Sequence, residues 1–108
     1  MNGTVTSVIV VSANHPSLAG HFPGQPVVPA VVLLDAVLAA IRSSEDLVLR
    51  SIPAAKFLQP VLPDERIELH VHFTVIDAAR LRASFQGLRT TSIVFEGSFI
   101  VSPPDPPP

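Results

Sequence analysis

The sequence predicts an α+β domain in which an antiparallel sheet wraps one central apolar helix. Three observations lead there. The run Ala30 to Ile41 contains a single polar residue, Asp35, and neither Gly nor Pro. Two later stretches alternate apolar and polar residues with the period of strands half-buried on one face. The order is strand, helix, then strands only, which lays one helix against one sheet.

Taken in order, Val5 to Ser12 is β-branched and reads as the first strand. Ala13 to Ala19 is a loop, with His15-Pro16 as a turn signal and His15 as an ordinary loop residue. Gly20-His21-Phe22-Pro23-Gly24-Gln25-Pro26-Val27-Val28-Pro29 follows. Its three prolines and two glycines exclude a strand or helix interior and make a shaped, rigid connector. Pro29 suits the first turn of a helix, where its missing N–H costs nothing.

In the helix, Val31, Leu34, Leu38 and Ile41 form one stripe, and Val32, Leu33, Val37 and Ala40 fill the remainder. A helix apolar on every side is buried or spans a membrane. The run rises only ~18 Å, whereas a span needs ~20 residues. The expectation is therefore a buried helix with the Asp35 carboxylate inside. Burying an unpaired carboxylate costs several kcal/mol, so Asp35 either bonds to a neighbouring loop or serves a site. Arg42 to Asp46 is a polar turn.

Leu47 to Ile52 is the second strand. Pro53 removes a ladder donor, so the strand there bends, ends or lies at an edge before Ala54 to Leu58 resumes. Arg66 to Val75 alternates, with Ile67, Leu69, Val71 and Phe73 on one face and Glu68, His70, His72 and Thr74 on the other. Arg80 to Gln86 turns Leu81, Ala83 and Phe85 inward, and Thr91 to Val101 does the same with Ile93, Phe95, Phe99 and Val101. One domain over 1–102 and a proline-rich, disordered tail over 103–108 complete the reading. His70 and His72 are read as part of a solvated sheet face rather than as metal ligands.

The chain has 108 residues, enough for one domain. It is 47% hydrophobic and only 15% charged, well under the ~25% usual for soluble domains, which leads us to expect a homo-oligomer with a large apolar interface. The net charge of −2 and the lack of a basic run argue against nucleic acid. With no cysteine, disulfides, thiolate metal sites and thiol nucleophiles are excluded. The N-terminal residues lack the basic start of a signal peptide, so a cytoplasmic location and no membrane partner are expected.

The Gly20–Pro29 segment resembles the active-site signature of the 3-hydroxyacyl-[acyl-carrier-protein] dehydratases of the FabZ and FabA type. In that family an acidic residue stands on the helix fourteen positions after the histidine; here that position is Asp35. Ala55-Lys56-Phe57-Leu58-Gln59-Pro60-Val61-Leu62-Pro63-Asp64 resembles the family's entry into the third strand. The departures are Ala30, where the family usually has Gly, and Ala39, where Gln is common. The acid is Asp, as in the FabA type. The resemblance implies the hotdog fold and elimination of water from a 3-hydroxyacyl thioester, on acyl carrier protein or coenzyme A, in fatty-acid or related lipid biosynthesis.

The resemblance assigns the catalytic pair to His21 and Asp35. His21 is the base at C2, and a neutral imidazole suits that task. Asp35 acts on the departing hydroxyl. The N–H of Ala30, an orphan donor at a helix N-terminus, serves the developing oxyanion, with Phe22, Gly24 and Pro29 lining the substrate path. Proton transfers suffice, so no cofactor and no metal are expected. The family shares its sites across a homodimer, and the resemblance allows a trimer of dimers. Lys56, Arg80, Arg82 and Arg89 are candidates for docking an acidic carrier protein. Two other functions fit the same fold: an acyl thioesterase, and a non-catalytic subunit that binds acyl chains or completes a partner's dimer.

Overall fold

The structure, a computed structural model of the chain, describes residues 3–18, 27–43 and 45–107. Among these, β1 (Gly3–Ile9), α1 (Ala30–Arg42), β2 (Val48–Phe57), β3 (Ile67–Val75), β4 (Leu81–Arg89) and β5 (Ser92–Ser102) follow in sequence, with a 3-10 turn at Pro16–Leu18. The strands form one antiparallel sheet in the order β1-β3-β4-β5-β2. No helix among the described residues is long and apolar enough to cross a membrane.

The alternation in β3 and β4 sets which face is covered. Register places Val71 against Phe85 and Phe73 against Ala83, with Phe85 opposite Gly97 and Ala83 opposite Phe99. Ile67, Leu69, Val71, Ala83, Phe85 and Phe99 are buried against α1's Val32, Leu33, Val37 and Ile41 in one core. The rings of Phe85 and Phe99 lie 4.9 Å apart and those of Phe85 and Phe95 6.2 Å apart, a tilted aromatic line through the sheet centre. The opposite face is polar. A row of Thr6, His70, Gln86, Glu96 and Lys56 crosses all five strands.

Several boundaries differ from expectation. β1 ends at Ile9 rather than Ser12 because its partner β3 begins at Ile67, opposite Ile9. Val11 stays buried beyond the strand, and its carbonyl accepts from Asp64 N at 2.7 Å. β2 runs unbroken through Pro53, which its edge position and two register shifts between Leu49 and Ala54 accommodate. In β5 a register shift opposite Gly87 and Leu88 buries Val94 and Phe95 together and leaves Ile93 half-buried, so strict alternation fails there. Pro29 is the N-cap of α1, with an extended backbone (φ −61°, ψ 149°), rather than a residue of its first turn.

The larger correction concerns α1. Val32, Leu33, Val37 and Ile41 are buried, but Val31 is 66% exposed and Asp35 and Ala39 are exposed as well. The expected carboxylate inside a fully covered helix is therefore overturned for the single chain. A helix with its side chains is ~10–12 Å across, and one sheet covers one side of it.

Past Ser102 the chain keeps contact with β2. Arg50 donates from Nε to Ser102 Oγ at 2.6 Å and from Nη2 to Asp105 Oδ1 at 3.0 Å.

Gly97 has no room for a side chain: a Cβ there would meet the carbonyl oxygen of Ala54 across the β2–β5 pair and come within 2.8 Å of Phe85 Cζ. Gly97→Ala is expected to destabilise the fold by about 1–3 kcal/mol through overpacking, read from the urea unfolding midpoint.

Candidate functional site

The site is built around the start of α1. The Pro29 carbonyl accepts from Val32 N at 3.0 Å and Leu33 N at 3.2 Å, which fixes the first turn. No side chain caps this end, and among the described residues nothing accepts from the N–H groups of Ala30 and Val31. Ala30 is the first helical residue, and the only non-glycine residues with positive φ among those described are Asp64 and Thr90. An alanine in place of the family's glycine therefore imposes no backbone strain here. A cavity of about 310 Å³ opens beside it, lined by Val28, Ala30, Leu33, Phe57, Leu58, Gln59 and Pro60. A helix-end amide with no acceptor among the described residues, beside an apolar cavity, is chemically suited to hold a developing oxyanion.

Asp35 does not line this cavity. It lies ~7.5 Å along the axis from Ala30 and ~140° around it, on the exposed face that also carries Val31. Within one chain the amide and the carboxylate therefore do not converge. Pro29 is half-buried at the cap. His21, Phe22 and Gly24 fall in residues 19–26 and lie outside the described residues.

A larger concavity, about 550 Å³, lies across the polar sheet face and is lined by Thr4, Lys56, His70, His72, Arg82 and Glu96 among others. Its side chains are largely engaged with one another or with the strands. His70 Nε2 is 2.7 Å from Glu68 Oε1, His72 Nδ1 is 3.4 Å from Thr4 Oγ1, and Arg82 Nη1 donates to Ser98 Oγ at 3.3 Å. Of the cations considered for docking a carrier, Arg80 pairs with Asp77 and Arg89 with Glu65; Lys56 stands on edge strand β2.

Sequence reasoning missed one cluster. Arg89, the last residue of β4, donates from Nε and Nη2 to the Glu65 carboxylate, from Nη1 to Gln59 Oε1 at 3.0 Å and from Nη2 to the Pro60 carbonyl at 2.7 Å. Glu65 in turn accepts from Leu62 N at 3.0 Å. Pro63-Asp64 signalled a turn, and Asp64 adopts φ 63° while its carboxylate accepts from Ala13 N at 3.1 Å. Nothing local could have joined Arg89 to residues 59–65.

A protein-family profile described as ApeI-like, ApeI dehydratase, matches residues 1–97. The chain belongs to this family. A 3-hydroxyacyl-[acyl-carrier-protein] dehydratase FabZ of Anaeromyxobacter sp. is 37% identical over 103 residues, covering 83% of this chain and 65% of that protein. The FabZ of Haemophilus influenzae (strain 86-028NP) is 35% identical over 92 residues, covering 76% and 61%. The chain thus spans less than two thirds of the length of these two relatives. Among solved structures, the dehydratase heterocomplex ApeI:P of Xenorhabdus doucetiae superposes with a TM-score of 0.71 at 19% identity, covering 92% of this chain and 87% of that one. The sheet-around-helix arrangement of the ApeI-like chain is the hotdog fold implied by the resemblance.

Hydrogen bonds from Arg89, opposed by partial burial and helped by the Leu62 amide and the guanidinium charge, lower the Glu65 carboxyl from 4.5 to about 2. A carboxyl lowered on folding stabilises above its unfolded value, and that stabilisation is lost as pH falls toward the folded one. In urea unfolding, wild type is expected to exceed Glu65→Gln by a margin that is constant well above pH 4.5 and vanishes as pH falls toward about 2.

Proposed function

We propose that the chain eliminates water from a 3-hydroxyacyl thioester to give the trans-2-enoyl thioester. The observation that carries this reading is the division of α1: its amide end opens on the apolar cavity while Asp35 stands on a different, uncovered face. A site drawing both groups together needs a second chain, and the exposed Val31 beside Asp35 supplies apolar surface for it. The names of the relatives, 3-hydroxyacyl-[acyl-carrier-protein] dehydratases, support both the reaction and a carrier-bound substrate.

In this reading His21 of one chain takes the proton from C2. The electron pair moves onto the thioester oxygen, which the Ala30 N–H stabilises. As the enolate collapses, the C3–O bond breaks and the departing hydroxyl takes a proton from Asp35 of the second chain, leaving as water. The protonated His21 then returns a proton to the site, so no cofactor is consumed. The second chain is a copy of this one. The alternative occupant is a non-identical partner, which the heteromeric nature of the Xenorhabdus dehydratase favours.

Incubation with 3-hydroxyacyl pantetheine thioesters is expected to build the conjugated enoyl absorbance, with His21→Ala and Asp35→Asn each lowering kcat by ~10²–10⁴. Release of free thiol without enoyl product would instead identify a thioesterase. Val31→Glu is expected to leave a folded monomer on gel filtration with dehydration lost. A wild-type chain that is monomeric and inert until another subunit is added would replace the homodimer by the heteromer.

A further inference from the structure

The connection between β2 and β3, residues 58–66, has no regular secondary structure, yet it forms one wall of the cavity facing Ala30. Pro60 and Pro63 have no N–H to donate, and the segment is held at its two ends: Asp64 N donates to the Val11 carbonyl at 2.7 Å near the β3 end. Leu58 N and Gln59 N both reach the Val94 carbonyl, at 2.9 and 3.2 Å, and Val28 N donates to the Val61 carbonyl at 2.8 Å. The last of these bonds ties the wall to the segment that leads into α1. Three further acceptors between these ends, the Gln59 side chain, the Pro60 carbonyl and the Glu65 carboxylate, converge on one guanidinium, that of Arg89. Arg89 and Glu65 are both only partly exposed, at 34% and 21% of their side-chain surface, so the pair is shielded from full solvent screening.

We propose that Arg89 is a positioning residue for the thioester site. By gripping Glu65, Gln59 and Pro60 together, it sets where the cavity wall stands relative to the Ala30 amide. The guanidinium is suited to this because its planar fork bonds several acceptors at once, which a lysine ammonium on a flexible stem does not reproduce. Arg89 is not itself among the residues that line the cavity; it acts through Gln59 and Pro60, which are and which it hydrogen-bonds. Its effect on turnover rests on the dehydratase reading above; its effect on the wall does not.

Two measurements on the full chain test this. In steady-state dehydration of a 3-hydroxyacyl pantetheine thioester, Arg89→Lys is expected to raise KM about tenfold with little change in kcat, the pattern of a displaced binding wall. In amide hydrogen exchange, the Val28 N–H is expected to exchange about tenfold faster in Arg89→Lys and Glu65→Gln relative to the Val71 amide in β3, which reports global opening. Wild-type KM and wild-type Val28 exchange in Arg89→Lys would overturn the proposal. So would a lysine variant that restores everything an Arg89→Met variant loses, since the residue would then act as a charge alone. If wild type turns over no substrate, the dehydratase reading fails, and the exchange at Val28 still decides the role of Arg89.

Discussion

The rest of the structure depends on a mismatch between α1 and its cover. The helix is apolar nearly all round, and one five-stranded sheet buries only the side of Val32, Leu33, Val37 and Ile41. Burying an aliphatic side chain fully is worth ~1.5–3 kcal/mol, and Val31, two-thirds exposed, contributes little of that to the single chain. The same uncovered face carries Asp35. In the proposed reading, a second chain that covers Val31 would also shield the Asp35 carboxylate beside it.

Much of the fold was legible because alternation is a strong signal where one face is buried. Ile67 to Phe73 and Leu81 to Phe85 could be assigned inward from their period alone, and the helix was bounded by Pro29 before it and the polar turn after it. The burial of Val94 was hidden because the register shift opposite Gly87 inserts an extra position that period-two reading cannot see. The exposure of Asp35 was hidden for a different reason. A run of apolar residues records how much cover a helix requires, not whether its own chain provides it.

At the candidate site, the apolar run behind Pro29 marked α1 in the sequence, and the cavity at Ala30 lies at the N-terminal end of that helix. The clamp on residues 59–65 was out of reach because it joins the end of β4 to a connection 24 residues earlier in the chain. Arg89 looked like a surface charge in the sequence. In the fold it bonds three acceptors of one irregular segment at once, the Gln59 side chain, the Pro60 carbonyl and the Glu65 carboxylate.

Pro53 has a consequence for the open edge of the sheet. β2 ends the strand order and presents a ladder side without a neighbour, with Ile52 and Phe57 exposed along it, and such an edge is a template for runaway fibre growth. The proline has no N–H to donate, and the two register shifts around it break the even spacing of the strand and add local twist, against the flat geometry that stacking requires. The edge therefore accepts a partner in few registers and resists open-ended polymerisation.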